Sequence, residues 1–412
     1  VPPSAPASAA VVVRRAVHVY SLPECLALAE RNHPNLWAAR ARLASFHAQL
    51  DEAKWTPFFQ GWSANATIGV IPPLGGTPYY GATQSVLLNP SFNTSFGPFF
   101  QFSVNGGLPL YTFGKITGYW RAAEAQIRAG EWDLEKFRQQ VRFDVRRAYF
   151  NLLLARDALY IADEALKGVD KGLDKINEHL EKSDSGYDEV DRLRLQFYKD
   201  ELIARTGDAR RGETIALAAL RFLTGVATQF DVPDEPLKRP DVPVRPVVRY
   251  LAAARLFRPE VNYARAGVAA RRALTEVAQA RFFPDIYLGM NASYLIAPNA
   301  TQQTTAWVLD PFNRFGWGAA LGVRWGLDVL PNQARLVQGE SLLEETRSLE
   351  RLALGGIAVE VETAYGAVNE AKVREEAWSR NEHLAKGWLS SVRDAIDLGT
   401  KDERYLIEPT RF

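Results

Sequence analysis

The sequence predicts a mixed α and β membrane fold, internally duplicated, in which four strands per chain join a β-barrel shared between chains and run into long coiled-coil helices. Three observations carry this: the two halves repeat in order, four segments alternate apolar with polar residues, and one helix bears a sustained heptad seam.

The repeat is read from matched motifs. HPNLWAARA at Pro34 corresponds to RPEVNYARA at Pro259, LDEAKWTPFFQGW to VAQARFFPDIYLGM, and GGLPLYTFGK to VRWGLDVLPN. VRFDVRRAYFNL corresponds to GIAVEVETAYGAV and SGYDEVD to LGTKDER. The spacing between matched motifs stays nearly constant along the series and drifts mainly where a loop shortens, as a duplication would. Residues 1–20 read as a flexible N-terminal segment, 21–226 as the first repeat, 227–249 as a proline-rich extended linker, and 250–412 as the second repeat. Each half reads helix, strand, loop, strand, very long helix, turn, helix.

The strands are predicted at 60–70, 99–110, 285–294 and 315–327. In the first, Trp62, Ala64, Ala66, Ile68 and Val70 alternate with Gly61, Ser63, Asn65, Thr67 and Gly69. Phe100, Phe102 and Val104 alternate with Gln101, Ser103 and Asn105, and Leu288 and Met290 with Gly289 and Asn291. In the last, Trp317, Ala319, Leu321 and Val323 alternate with Gly318, Gly322 and Arg324. Successive side chains of a strand point to opposite faces, so each segment has one apolar face, the pattern of a lipid-facing barrel strand. Ile68, Phe102, Leu288 and Leu321 are expected on that face, and Asn65, Ser103, Asn291 and Gly322 on the other. Aromatics gather at the segment ends, as in an interfacial girdle: Trp55, Phe58, Phe59, Tyr111, Phe113, Phe282, Phe283 and Trp325. The competing reading is an ordinary antiparallel sheet over a helical core. Four strands cannot close a barrel, and open edges are not tolerated in lipid, so closure requires several chains.

The helical seam runs from Leu134 to Leu180, and from Val145 onward its spacing is strictly three and four. A helix over about 119–182 is expected to turn near Gly186 and return antiparallel to about Leu223, before Gly225.

Composition excludes other classes. Lys+Arg 49 against Asp+Glu 48 leaves a net charge of +1, which offers no general attraction to nucleic acid. The single cysteine, Cys25, reads as a small buried residue. His18, His33, His47, His179 and His383 lack metal-ligand spacing, and there is no phosphate-cradling glycine motif or nucleophile elbow. No enzyme activity, cofactor or metal is expected. The Pro/Ala/Ser-rich start VPPSAPASAA reads as a mature N-terminus left after signal-peptide removal. No uninterrupted apolar run is long enough to form a transmembrane helix.

The motifs at Pro34 and Pro259, the proline-led strand starts at Pro57 and Pro284, LPLYTFGK at 108–115 and ALRFLTG at 219–225 together resemble the TolC family of outer-membrane efflux proteins, over Leu22 to about Glu408. The resemblance implies a homotrimer whose 12-stranded barrel in the bacterial outer membrane continues into an α-helical barrel across the periplasm. It implies an export duct partnered by a periplasmic adaptor (membrane fusion) protein and an inner-membrane transporter. The alternative from a different class is a non-channel periplasmic coiled-coil scaffold.

Family members close their periplasmic end at two helical turns, here SDSGYDEVDR and LGTKDER. Residue by residue, Gly399, Thr400 and Lys401 fall on the family's Gly-Thr-Arg tip, and Tyr405 and Glu408 on two positions that are acidic in the best-known members. Tyr405 departs from that pattern; Glu408 keeps the carboxylate. Asp191 lies one residue short of the usual acidic position. Gly186, Asp188, Asp191 and Arg192 of the first turn, with Arg404 of the second, complete the candidates for gate or adaptor contacts. Solvated turn charges are the competing reading. A whole returning helix fits between Gly186 and Gly225, whereas only a short stretch follows Gly399 before Phe412. The second half is therefore expected to lack most of its returning helix, and the chain to be incomplete.

Overall fold

The structure, a computed structural model, describes residues 18–59, 61–72, 96–181, 188–226, 230–240, 242–300, 310, 312–400 and 405. Among the described residues seven helices and six strands follow in the order β1 (His18–Val19), α1 (Leu22–Asn32), α2 (Pro34–Phe59), β2 (Ser63–Ile71), β3 (Gly97–Tyr111), α3 (Lys115–Glu181), α4 (Glu189–Thr224), β4 (Phe230–Asp231), α5 (Val247–Phe257), α6 (Pro259–Ala280), β5 (Asp285–Ile296), β6 (Arg314–Arg324) and α7 (Val329–Asp397). Among the described residues no helix is long and apolar enough to cross a membrane.

The chain divides into two compact units that cut across the sequence repeat. The first comprises Val1–Ala41, Asp133–Pro259 and Leu354–Phe412; the second comprises Arg42–Trp132 and Glu260–Ala353. The repeat runs along the chain, whereas each unit gathers matching stretches from both halves.

The first unit is mainly helical. Val141, Val145, Ala148, Tyr149, Leu152 and Leu153 of α3 form its main core with Cys25 and Ala29 of α1 and Ala216, Leu220 and Leu223 of α4. A satellite core joins Leu173 and Ile176 of α3 to Leu195 of α4. Most of these α3 residues belong to the predicted seam, because three-and-four spacing keeps one stripe of a long helix against its partner. Capping defines the ends. Ser21 and Glu24 form a capping box at α1, with the Ser21 backbone N–H donating to Glu24 Oε2 at 2.8 Å. Gly225 ends α4 at φ 69, the left-handed conformation that glycine adopts without a Cβ penalty. The Asn32 amide donates to the Thr224 carbonyl at 3.0 Å, tying the end of α1 to the end of α4.

Two departures from the sequence reading lie here. His18–Val19 pairs in parallel with Phe230–Asp231, so the end of the supposed flexible segment and the start of the linker hold each other. A two-residue bridge has no periodicity to read. The linker also gives way to helix at Val247, inside 227–249.

The second unit carries one antiparallel sheet of order β2-β3-β5-β6. The strands therefore meet across the duplication, β3 of the first half beside β5 of the second. β6 ends at Arg324, short of the predicted 327, and Leu327 precedes α7 instead.

Candidate functional site

The cross-strand register sorts the sheet into two faces. Ala66 lies opposite Phe102, Phe102 opposite Tyr294, and Leu288 opposite both Leu108 and Leu321. On the other face Asn65 lies opposite Ser103, Ser103 opposite Ser293, and Asn105 opposite Asn291. Like thus meets like across all four strands, which the alternation within each strand could not guarantee. The apolar face is bare: Ile68 is 79% exposed, Trp317 75% and Leu321 73%. A sheet over a helical core would have buried these side chains, and an apolar patch of this kind marks an interaction or membrane surface.

Where the sheet meets the helices, the turn after β3 is strained and braced. Phe113 has φ 51, rare for a non-glycine residue, and Gly114 has φ 93. Phe113 stacks on Phe283 with ring centroids 5.3 Å apart and planes at 13°, while Tyr111 meets Phe113 edge-on at 4.7 Å. The next residue, Lys115, donates from Nζ to the Phe283 carbonyl and to Asp285 Oδ1, both at 2.8 Å. Trp325 donates from its indole to the Phe282 carbonyl at 3.1 Å. Trp55, Phe59, Tyr111, Phe113, Phe283 and Trp325 are all exposed, so an aromatic belt borders the apolar face.

In the helical unit, Arg156 of α3 is a hub that sequence reading missed. It donates to Glu213 Oε1 at 3.1 Å, to the Val232 carbonyl at 3.1 Å, and to the Asp231 carboxylate. Burial alone would lower its pKa, but its hydrogen bonds to Asp231 and Glu213 outweigh that and hold it raised. Asp157 accepts the Leu237 backbone N–H at 3.0 Å, so two consecutive residues strap the linker to α3. Nothing in the sequence near Arg156 signals this, because its partners lie 57 and 75 residues away. Cys25 is buried, its thiol facing the Tyr20 carbonyl at 3.8 Å, and burial pushes its pKa up to about 11, the behaviour of a packing residue.

At the first turn, Asp188 caps α4: its Oδ1 accepts the Asp191 backbone N–H at 2.9 Å. Asp191 is only 8% exposed, and Arg192 pairs within its own helix with Glu189. At the second turn, Gly399 has φ 67, and both the backbone N–H and the hydroxyl of Thr400 donate to the Ala395 carbonyl, at 2.9 and 2.8 Å. Tyr405 is exposed. Gly186, Lys401, Arg404 and Glu408 lie outside the described residues. Among the described residues no group of three or more His, Cys, Asp and Glu side chains could hold a metal ion.

Residues 80–226 match the family model for outer membrane efflux proteins. That stretch of the chain is similar to the outer membrane efflux protein family. That family comprises channel proteins rather than enzymes. Solved structures share this chain's fold at low identity. CusC, from a study of transmembrane channel formation, aligns at a TM-score of 0.74 with 16% identity, covering 95% of this chain and 85% of that one. The MtrE outer membrane channel of Neisseria gonorrhoeae, in its open state, aligns at 0.72 with 17% identity over 95% and 82% of the two chains. The CmeC outer membrane channel of Campylobacter jejuni aligns at 0.71 with 16% identity over 95% and 79%. No curated protein matches the sequence.

Proposed function

We propose that the protein is an export duct of the bacterial outer membrane, built from three copies whose sheets join into one 12-stranded barrel. The observation that carries this is the four-stranded sheet with a bare apolar face on one side, a polar face on the other, and two open edges at β2 and β6. Unpaired edge groups cost several kcal/mol each in hydrocarbon, about 2–7 by transfer scales, so β6 of one copy must pair with β2 of the next. The apolar face then meets lipid, the aromatic belt sits at the interface, and the polar face lines the lumen. The helical portion extends into the periplasm, where an adaptor protein and an inner-membrane transporter would deliver cargo. Asp188, Asp191, Arg192, Gly399, Thr400, Lys401, Arg404, Tyr405 and Glu408, with Gly186, are proposed to form the periplasmic gate or the adaptor contact.

Native mass measurement in detergent, with conductance in planar bilayers, tests the reading. A trimer that conducts is expected. A protein that stays monomeric and soluble without detergent would instead be the periplasmic scaffold.

A further inference from the structure

The strands are almost empty of charge, and the few acidic and basic residues they hold share one face. No Asp, Glu, Lys or Arg occurs from Trp55 to Gly114, nor from Ile286 to Leu309. Within the four strands the charged residues are Asp285, which opens β5, and Arg314 and Arg324, which open and close β6. All three have the parity of Asn291 and Gly318, the polar face. Two guanidinium groups thus stand against one carboxylate, and that carboxylate is already engaged. Asp285 is the residue opposite Arg324 in the register, yet its Oδ1 lies 2.8 Å from Lys115 Nζ.

Arg324 is held elsewhere. Its guanidinium carbon sits 5.0 Å from the centroid of the Tyr287 ring. That ring lies over Gly322, where a Cβ would come within 2.6 Å of Tyr287 Cζ. Glycine there lets the tyrosine lie against the sheet, and the tyrosine in turn holds the arginine on the polar face. Arg314 and Arg324 are both exposed. They are roughly 33 Å apart along β6 at about 3.3 Å per residue. That exceeds the Debye length of about 8 Å at physiological salt, so each end of the strand acts as its own positive site.

We propose that Arg314 and Arg324 line the two ends of the barrel lumen and make it favour anions, so that the cargo class it passes most readily carries carboxylate or phosphate groups. The inference rests on the duct reading, since only a closed barrel turns this face into a lumen. Rings of arginine are how pores attract anions, and a low-dielectric wall around them strengthens the field.

The test is the reversal potential of single channels under a KCl gradient, for the parent, for R314Q/R324Q, for R314Q alone and for R324K. Each variant is first matched to the parent's mass in detergent. The double variant is expected to lower the chloride-to-potassium permeability ratio at least about threefold. R314Q should lower it in part, and R324K should leave it near the parent's. An open channel whose ratio is unchanged in R314Q/R324Q overturns the inference. So does an R324K shift as large as the double variant's, which would assign the effect to the packing on Tyr287 and not to charge. A parent that forms no channel overturns the duct reading itself.

Discussion

Lys115 and Asp285 meet at 2.8 Å and join the first residue of α3 to the first residue of β5, across 170 residues of sequence. The same ammonium takes the Phe283 carbonyl, so one side chain fixes the point where both halves of the duplication pass between sheet and helix. The Lys115 side chain is largely shielded at 18% exposure, and that of Asp285 is partly shielded at 35%. Removing Lys115 alone leaves a carboxylate and a carbonyl short of a donor, a loss of about 1–3 kcal/mol. K115M should therefore lower the unfolding temperature in detergent more than the double variant K115M/D285L. Equal losses would show that the pair does not hold the junction.

The register makes a sharper statement about lipid. Leu288 sits between Leu108 and Leu321 on the bare face, and Asn291 between Asn105 and Gly318 on the other. Arginine at Leu288 should impair insertion at a cost of about 2–4 kcal/mol near the membrane midplane, whereas arginine at Asn291 should be tolerated. Heat-modifiable mobility in membranes reads this out. The opposite ranking would mean that the polar face meets lipid.

Asp188 has two duties that can be separated. It caps α4 within its own chain, and as a gate residue we propose that it pairs with Lys401 or Arg404 of a second tip. Asparagine caps helices about as well as aspartate, while alanine costs about 1 kcal/mol. If charge links hold the gate, D188N/K401Q should raise single-channel conductance without loosening α4, and high salt should mimic part of the rise. If only D188A changes conductance, the cap matters and the charge does not.

His33 gives the helical unit a pH dependence. It is 4% exposed at the junction of α1 and α2, where its Nδ1 accepts the Asn35 backbone N–H at 3.2 Å and its ring meets Phe222 edge-on at 5.8 Å. Burial lowers its pKa, with Asp144 opposing the shift in part. The unfolded chain therefore binds the proton first. Stability contributed by neutral His33 is present above the ordinary value of about 6.5 and is lost as the pH falls through the lowered folded value. H33Q, which cannot titrate, should flatten the acid side of the stability profile measured by thermal unfolding between about pH 7 and pH 5. An unchanged slope would assign that limb to other groups.

The alternation of Ala66, Ile68 and Val70 with Asn65, Thr67 and Gly69, and the seam through Val145, Leu152 and Ile176, were legible without coordinates. Each is a local record of environment, because the pleat repeats every two residues and the coiled-coil seam every three to four. Helix ends were legible for the same reason: Gly225 can take a left-handed cap that other residues resist. The candidate turns were placed by motif, but the duties of their side chains were not, since Asp188 serves as a cap through a backbone contact that any turn acid could have made or missed.

The tertiary structure alone decided which distant groups meet. That β3 lies beside β5, that Phe113 bends into a left-handed turn to reach Phe283, and that Arg156 gathers Glu213 and Asp231 follow from no periodicity. A repeating pattern states what surrounds a residue. Its partner is chosen by the packing of the whole chain, where burying one polar group requires another at hydrogen-bonding distance and a paired strand edge is cheaper than an open one.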